Sequence, residues 1–365
     1  MDEDGIANIL VCYYQGLFTS SNLWRIGEVV VGIPCSILDE MNQSLNVEYT
    51  REDVVTALKQ MEPLKAPSPN GLPPLFFQHY WQLVGDDMTE VVLSCLTSSV
   101  IPLSINQTFI TLIPKLKSPL KVSEFCPICL CNIIYKLVSK VIANRLKRVL
   151  PLIISESQSA FQSNKAISDN ILVAFETLHH MKNQKAKKGG FMALKLDMSK
   201  AYDRVEWSFL EATMVKMGFN EKWVALVMSC INSAFYSILV NGVPKGDIRP
   251  TRGIRQGDPL SLYLFLICFG ALNCQLQLAA GSKAISGFSL CKNGPKITHL
   301  FFVDDTLLFC RATINDLDAI QRILSLYEQA SGQKLHREKT FVFFSKSTPK
   351  GRKLEILDLF EVSEV

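Results

Sequence analysis

Two adjacent carboxylates, Asp304 and Asp305, lie between two short apolar runs of this sequence. The runs, residues 300–303 and 307–310, are rich in Phe, Leu and Val, which predicts two buried strands of a hairpin with the acidic pair at its tip. Neighbouring carboxylates repel each other, and burial beside an apolar core disfavours both charges. A surface turn, where Asp is common, or a bound cation would each account for the pair.

A third carboxylate, Asp197, directly follows another apolar stretch, residues 191–196. It is far from Asp304 and Asp305 in the sequence, so only paired strands that end side by side would bring the three together. Converging carboxylates suit hard divalent cations, which prefer oxygen ligands. Two such ions about 3.5–4 Å apart can hold the attacking and leaving oxygens of a phosphoryl transfer. The three aspartates are therefore candidate catalytic residues and metal ligands.

Three motifs carry a family resemblance. They are LDMSKAYD, which contains Asp197, RGIRQGDPLS at residues 252–261, and FVDD at 302–305. In this order they resemble the reverse transcriptase (RNA-directed DNA polymerase) of plant LINE-type non-LTR retrotransposons, over most of the chain. The resemblance implies a nucleotidyltransferase that uses deoxynucleoside triphosphates to add deoxynucleotides to the 3′-hydroxyl of a DNA primer on an RNA template, with pyrophosphate as the leaving group. It also implies two Mg²⁺ ions, with Mn²⁺ as a possible substitute, on the three aspartates.

The resemblance further assigns residues to a nucleotide pocket. Lys115 would face the triphosphate, the ring of Tyr202 would lie under the sugar, and Lys339 would lie near the leaving pyrophosphate. Gln256 and Gly257 would line the nucleotide and template side of the cleft. From the residues alone, Lys115 and Lys339 are also compatible with ordinary surface lysines, and Tyr202 with a packing role.

Basic residues in two segments are candidate nucleic-acid contacts. Arg252 and Arg255 are spaced to flank a backbone, and Gly253 between them permits its close approach. Lys136 and Lys140 recur on one face of a predicted amphipathic helix. They form either a solvated face or a strip that contacts phosphates.

Several positions depart from the family pattern. Cys126 stands where the family has an arginine that would share the triphosphate with Lys115. A thiol offers neither the charge nor the planar fork of a guanidinium. Asn164-Lys165 replaces a second fingers motif, Gly-Arg. The other departures are Ser68 and Asn70 for Gly and Asp in a loop, Leu262 for Pro, and Val303 for Ala.

The elements that must position these residues predict an α+β fold. The order strand, helix, hairpin, helix, strand indicates a ferredoxin-like antiparallel sheet with helices on one face. By resemblance this is the palm of a right-hand polymerase. We expect a helical connector at residues 1–62, fingers at 63–190, the palm at 191–345 and the start of a thumb connection at 346–365. The resemblance also predicts a fragment without the family's upstream endonuclease and thumb.

Local signals predict element boundaries. A helix over residues 132–150 should stop at Pro151. Asp203 should open the helix that follows it, and Asn315 should cap a later helix. The Asn241-Gly242 pair predicts a tight hairpin.

Composition indicates a globular chain. Its 365 residues are 48% hydrophobic and 20% charged, enough for two or three subdomains. A net charge of +4 does not by itself indicate nucleic-acid binding. Scattered cysteines and the lack of a signal peptide favour an intracellular location, nucleus or cytoplasm. The apolar run 262–270 is too short to span a bilayer, so we expect a core helix and no membrane contact.

Three other interpretations stay open. A decayed copy would fold and keep its metal site but not polymerise. A non-catalytic nucleic-acid-binding scaffold would need a basic cleft but not the three carboxylates. A two-metal nuclease would use clustered carboxylates, but it would not account for LDMSKAYD and RQGDPLS. Template specificity and oligomeric state are not determined by the sequence.

Overall fold

The structure is a computed structural model, and it describes residues 3–65, 68–159, 167–183, 189–291 and 294–364. The chain divides into two compact units, each assembled from separate segments. The first unit comprises Met1–Asn22, Cys35–Leu150 and Tyr202–Phe265. The second unit comprises Leu23–Pro34, Pro151–Ala201 and Leu266–Val365.

Helices of the described residues are α1 (Glu3–Leu17), α2 (Ile26–Val30), α3 (Asp39–Leu45), α4 (Arg51–Lys59), α5 (Pro74–His79), α6 (Trp81–Ser98), α7 (Leu103–Asn106), α8 (Ile133–Ile153), α9 (Ile167–Asn183), α10 (Trp207–Met217), α11 (Glu221–Asn232), α12 (Ser261–Gly281), α13 (Ile314–Ser331) and α14 (Lys350–Phe360). The strands are β1 (Gln107–Pro114), β2 (Phe125–Cys131), β3 (Phe191–Leu196), β4 (Met198–Ser199), β5 (Phe235–Val240), β6 (Val243–Ile248), β7 (Phe288–Ser289), β8 (Lys296–Ile297), β9 (His299–Phe302), β10 (Asp305–Arg311), β11 (Lys334–Leu335), β12 (Phe341–Phe344) and β13 (Ser363–Glu364).

A four-stranded mixed sheet in the order β2-β1-β5-β6 lies in the first unit. Strand β1 runs antiparallel to β2 and parallel to β5. Strands β5 and β6 form the predicted hairpin. Its turn residues Asn241 and Gly242 have φ values of 51° and 82°, the left-handed values that a type I′ turn requires. The hairpin prediction from this residue pair is therefore confirmed.

The sheet of the second unit has the order β13-β12-β3-β10-β9. Strand β3 pairs antiparallel with both β10 and β12, and β10 pairs antiparallel with β9. Of the four strands in the predicted strand, helix, hairpin, helix, strand order, β3 and the second hairpin strand β10 lie at the centre, with β12 and β9 outside them, as in ferredoxin-like folds. Strand β13 adds a parallel edge to β12. The predicted α+β class is confirmed.

Alternating side chains give this sheet two apolar faces. One face is closed to solvent and carries Met192, Leu194, Leu196, Leu308 and Val342, each at most 2% exposed. The opposite face carries a separate buried cluster of Met181, Ala193, Phe288 and Phe309. Because Met181 belongs to α9, that helix packs against the second face and fixes one side of the sheet.

Two predicted boundaries of the longer helices are wrong. Helix α8 continues through Pro151 to Ile153. A proline within a helix removes one backbone hydrogen bond, and here the missing bond falls in the last turn. Helix α13 is capped by Thr313 rather than Asn315, because the Thr313 hydroxyl accepts a hydrogen bond from the backbone N–H of Asp316 at 3.2 Å.

The prediction for Asp203 is also wrong. Helix α10 begins after Glu206, and the side chain of Glu206 makes no cap hydrogen bond. Asp203 lies in the preceding turn and is 2% exposed. Its Oδ1 accepts a hydrogen bond from Gln256 Nε2 at 3.1 Å, so it holds another loop rather than a helix N-terminus.

Candidate active site

The pairing of β3 with β10 brings the three candidate carboxylates to one end of the second unit's sheet. Leu196, the last residue of β3, lies opposite Thr306. Asp197 therefore follows β3 beside the point where Asp305 begins β10. Asp304 lies in the turn between β9 and β10. The predicted convergence is present in the structure, and the catalytic role of these residues remains a prediction.

The turn that carries Asp304 is held in an uncommon backbone conformation. Val303 has a φ of 56°, a left-handed value that a β-branched residue rarely adopts. Its N–H donates to Gln158 Oε1 at 3.2 Å, and its carbonyl accepts from Gln158 Nε2 at 3.5 Å. Gln158 is 3% exposed. Strain of this kind persists where surrounding bonds hold it, and it is often found at functional sites.

Gln158 is in turn positioned by a short segment along β9. The N–H of Phe301 donates to Ser157 O at 2.8 Å. The side-chain amide of Asn170, on α9, donates to Ser157 O and Phe301 O, both at 2.9 Å. Sequence reasoning missed Gln158 and Asn170 as positioning residues. The available signal was their place in the segment QSAFQSNKAISDNI, residues 158–171, which contains the Asn164-Lys165 departure from the family's Gly-Arg.

Two lysines form ion pairs with two of the three carboxylates. Lys195 Nζ lies 3.3 Å from Asp305 Oδ1, and Lys339 Nζ lies 3.6 Å from Asp197 Oδ2. Both lysine side chains are more than half exposed, so water screens each pair. Lys339 was among the predicted site residues, whereas Lys195 was not. Its position near the end of β3, two residues before Asp197, was the only indication in the sequence.

The surroundings of Asp304 disfavour its charged form. Burial raises the pKa of its carboxyl, and the negative charges of Asp305 and Asp197 raise it further. Lys195 lowers the pKa and so opposes these effects. A carboxylate that is partly desolvated and faces two like charges would gain from a cation beside it.

The three aspartates do not make a tight cluster in this structure. Within the described ranges, one group of three His, Cys, Asp or Glu side chains has all its ligand atoms within 4.8 Å, and it is Glu176, His179 and His180 on α9. The aspartates are spread more widely than this, with two of them turned to lysines. Their oxygen-only donor set nevertheless fits divalent hard cations.

The predicted triphosphate-side residues lie in the first unit. Lys115 is exposed directly after β1. Cys126, which stands for the family's arginine, donates through its thiol to Gln256 Oε1 at 3.3 Å. The amide of Gln256 in turn donates to Asp203. The thiol thus takes part in a local hydrogen-bond chain, but it provides no positive charge.

Tyr202 and Gly257 also belong to the first unit. The Tyr202 ring is half-buried and stacks on Phe265, with centroids 4.8 Å apart and an angle of 14° between the planes. Gly257 has a φ of 102°, which favours glycine. A Cβ there would lie 3.4 Å from Cys129 O, so the loop runs close to β2. Stacking makes Tyr202 a rigid ring and leaves its predicted contact with the sugar untested.

Arg252 does not face a nucleic-acid backbone in this structure. It is 6% exposed, and its Nε donates to Leu17 O at 2.8 Å. Its Nη1 donates to Ser21 Oγ at 2.6 Å and lies 3.4 Å from Glu206 Oε1. These contacts tie the segment Met1–Asn22 of the first unit to the segment Tyr202–Phe265. The interpretation of Arg252 as a phosphate contact therefore needs correction to a structural role.

Arg255 is likewise buried, at 3% exposure. Its guanidinium donates to Thr108 Oγ1 and Cys230 O, pairs with Asp258 at 3.2 Å, and lies 3.8 Å from the ring centroid of Tyr135. A buried charge needs this degree of pairing. Sequence spacing alone could not reveal the burial of either arginine.

The two lysines of α8 differ from the expected solvated face. Lys136 is 6% exposed, and burial lowers the pKa of its ammonium group. Lys140 is partly exposed, and its pKa is also lowered, by burial first and then by the charges of Lys147 and Lys65. Lys136 is therefore removed from the set of exposed phosphate contacts. For Lys140, contact with a phosphate remains a prediction.

The departure from the family pattern at Asn164-Lys165 lies outside the described residues.

Comparison with known proteins identifies the family. The sequence profile described as "Reverse transcriptase (RNA-dependent DNA polymerase)" matches residues 113–356, which include all three aspartates. Members of this family in general act with a nucleic-acid template, deoxynucleoside triphosphates and divalent metal ions.

Curated relatives include proteins of mobile elements. The Transposon TX1 uncharacterized 149 kDa protein of Xenopus laevis is 27% identical over 343 residues, 93% of this chain and 25% of its own length. The Pol polyprotein of type-2 retrotransposable element R2DM of Drosophila melanogaster is 24% identical over 286 residues, 78% of this chain and 25% of its own length. An uncharacterized mitochondrial protein of Arabidopsis thaliana is 44% identical over 73 residues, 20% of this chain and 60% of its own. The chain thus spans about a quarter of the length of the two mobile-element relatives.

One helix among the described residues, α12, is long and apolar enough to cross a membrane by length and composition. More than half of it is buried inside the protein, as expected for a core helix. A single helix of this kind is weak evidence for a membrane protein.

The family profile and the mobile-element relatives, together with the sheet that gathers Asp197, Asp304 and Asp305, lead to one conclusion. The chain belongs to the reverse transcriptase family and is a reverse transcriptase domain of the non-LTR, LINE type.

Proposed function

We propose that the chain catalyses RNA-templated addition of deoxynucleotides to the 3′-hydroxyl of a DNA primer. The observation that carries this proposal is the antiparallel pairing of β3 with β10, which gathers Asp197, Asp304 and Asp305 at one end of a sheet. Family membership supports the substrate classes, namely an RNA template, a DNA primer and deoxynucleoside triphosphates.

The three carboxylates are the proposed ligands of two divalent ions, Mg²⁺ or in its place Mn²⁺. The donor set fits such ions because all its ligands are oxygens. Burial first, and then the negative charges of Asp305 and Asp197, raise the pKa of Asp304, so a cation would stabilise its charged form. When bound, the ions would lower the pKa of the attacking hydroxyl and stabilise the leaving pyrophosphate.

The protein's own side chains would bind and orient the nucleotide. Lys115 is the proposed partner of the triphosphate, and Gln256 and Gly257 would line the nucleotide and template side. The rigid ring of Tyr202 would exclude a 2′-hydroxyl, which is the group that distinguishes ribose from deoxyribose.

Lys195 and Lys339 would keep the carboxylates separated and partly neutralised before substrates bind. Each holds one aspartate through a solvent-exposed ion pair, and such pairs are weak enough to exchange. Lys339 would then turn towards the leaving pyrophosphate, the position that the resemblance gives it.

The eleven cysteines are all free, which supports action in a reducing compartment, the nucleus or the cytoplasm.

Primer extension on an RNA template with deoxynucleotides and Mg²⁺ tests the proposal. We expect extension by the wild-type chain and a loss on the order of 10²-fold or more in Asp304→Asn, as for removal of a group that stabilises transition-state charge. Asp318→Asn is the matched control, because Asp318 is an exposed aspartate of α13 away from the hairpin. Extension that survives in Asp304→Asn would contradict the assigned site.

A second candidate function is metal and nucleic-acid binding without polymerisation. Cys126 favours this candidate, because a thiol that donates a hydrogen bond to Gln256 replaces the arginine of the family motif. The discriminating variant is Cys126→Arg, with Cys126→Ala as control. If the wild type and the alanine variant fail to extend but the arginine variant extends, the wild-type chain is a binding protein with a defective triphosphate pocket. Equal extension by all three would remove this candidate.

A further inference from the structure

Helix α9 carries a group of three metal-ligating side chains on its outer surface. Ligand atoms of Glu176, His179 and His180 all lie within 4.8 Å of one another. All three residues are exposed. In the part of the chain that the structure describes, this is the one such group, and the polymerase function proposed above makes no use of it.

The spacing explains why these side chains meet. Residues three and four apart on a helix are neighbours, so Glu176 has both His179 and His180 beside it. The two histidines are adjacent in sequence, lie on either side of Glu176, and still bring their ligand atoms within 4.8 Å of each other. A Glu-x-x-His pair on one helix is a recurrent metal-binding arrangement. The opposite side of α9 is anchored, because Thr177 and Met181 are 0% exposed. The three ligands therefore project from a fixed piece of backbone, as a binding site requires.

Asn183 provides a supporting contact for one of the imidazoles. Its side-chain amide lies 3.1 Å from His179 Nε2. The atom of Asn183 that faces the ring is Nδ2. Metal binding through Nδ1 requires a proton on Nε2, and rotation of the Asn183 amide by 180° would bring its Oδ1 to accept that proton's hydrogen bond. A partner on the second ring nitrogen is typical of histidines that bind metals.

We propose that Glu176, His179 and His180 form a site for a first-row transition metal, Zn²⁺ in the first instance. Two imidazoles and one carboxylate suit Zn²⁺ and leave a fourth position for water. Mg²⁺ prefers an all-oxygen octahedral shell, so the site is distinct in chemistry from the three aspartates. Metal binding would cross-link one turn of α9, the helix whose Asn170 holds the segment beside β9.

Isothermal titration of the full chain with Zn²⁺ in excess Mg²⁺ tests this site. Exposed thiols also bind zinc, so Cys12, Cys35 and Cys291 are first alkylated. We expect one equivalent to bind, and Glu176→Gln, His179→Ala and His180→Ala each to weaken it at least about tenfold. His79→Ala is the matched control, since His79 is an exposed histidine near a helix end and should leave the affinity unchanged.

Two further readouts keep the result independent of folding effects. Co²⁺ bound at the site should show d–d absorption without a thiolate charge-transfer band, and Zn²⁺ should slow hydrogen exchange of the α9 amides. Circular dichroism should be the same for all variants, because the substituted side chains are exposed. No zinc binding by the alkylated wild type, or binding that the three variants leave unchanged, would overturn the proposal.

Discussion

Asp304 is the carboxylate whose charged form its surroundings disfavour. Burial has the largest effect on the pKa of Asp304 and raises it; a backbone hydrogen bond lowers it, and the charges of Asp305 and Asp197 raise it again. The other two aspartates each have a lysine beside them. At the residue scale, the candidate site is therefore a place where negative charge is concentrated and only partly neutralised.

Replacement of Asp304 by asparagine should stabilise the metal-free protein at neutral pH. A carboxyl with a raised pKa binds protons more readily in the folded than in the unfolded chain, so its contribution to stability falls as pH rises through the unfolded and then the folded pKa. Above that window Asp304→Asn removes the unfavourable charge. The gain should be a fraction of the ~1.4 kcal/mol that one pKa unit represents, since the group is still partly solvated.

Urea unfolding without divalent metal, at pH 7 and near the unfolded carboxyl pKa of about 4, measures this difference. The stability advantage of Asp304→Asn should shrink at the lower pH. Asp318→Asn, in exposed sequence on α13, should have little effect at either pH. An asparagine variant less stable than wild type at pH 7 would contradict the electrostatic account.

The sequence was sufficient to find the charged residues but not all of their partners. Asp197, Asp304 and Asp305 follow apolar strands, and strand pairing brings them together. Gln158, Asn170 and Lys195 carry no such pattern, because their role depends on contacts that only the folded chain contains. The buried Arg252 and Arg255 were misread for the same reason: spacing gives no information on burial.

At the element scale, strands were easier to predict than helix ends. The limits of β3 and the hairpin of β5 and β6 follow from apolar patterning and the Asn241-Gly242 turn. Helix ends depend on single hydrogen bonds or on tertiary packing, as with Pro151 inside α8. The helix α13 provides a direct test of such an end.

Thr313→Ala should destabilise the protein by about 1 kcal/mol, the usual value for loss of an N-cap side chain. The hydroxyl that accepts from the Asp316 N–H also donates to Asp316 Oδ1 at 2.6 Å, so both bonds are lost. Asn315→Ala is the control, because Asn315 is exposed and was the cap expected from sequence. Urea unfolding measures both; a larger loss in Asn315→Ala would reverse the assignment.

Strand β9 carries a second pH-sensitive group. Burial lowers the pKa of His299 to about 4, and its ring contacts Thr298 Oγ1 at 2.9 Å and Asn273 Oδ1 at 2.8 Å. The unfolded imidazole takes up a proton near pH 6.5, before the folded one does. Stability should therefore fall as pH drops from about 6.5 to about 4, by on the order of 3 kcal/mol.

The wild type and His299→Gln should be unfolded in urea across this pH range. The variant should be less stable than the wild type at pH 7. It should lack most of the loss of stability on acidification that we attribute to His299. His79→Gln, at an exposed site, should keep the wild-type dependence. A wild-type and variant pair with parallel pH profiles would show that another group is responsible.

At the scale of the whole molecule, the two units are interleaved along the chain. The short helix α2 belongs to the second unit although the segments on either side of it belong to the first. No change in composition marks these crossings, because they follow from long-range packing. The predicted connector, fingers, palm and thumb boundaries rest on the resemblance and remain predictions.

Charge distribution, rather than net charge, should govern nucleic-acid binding. The net charge is only +4, and the two arginines expected to contact phosphates are buried. We expect binding of an RNA–DNA hybrid to depend on the lysines that reach solvent, among them the partly exposed Lys140. Affinity should fall with rising salt. Lys140→Ala should reduce the steepness of log Kobs against log salt by about 1, the change expected for the loss of one phosphate contact.

Fluorescence anisotropy at several salt concentrations measures that slope. Lys59→Ala, which removes an exposed lysine at the end of α4, is the matched control for loss of one surface charge. A slope that both variants reduce equally would indicate a diffuse effect of net charge. A slope that only Lys140→Ala reduces would place α8 along the nucleic acid, with the buried arginines acting as supports for the fold.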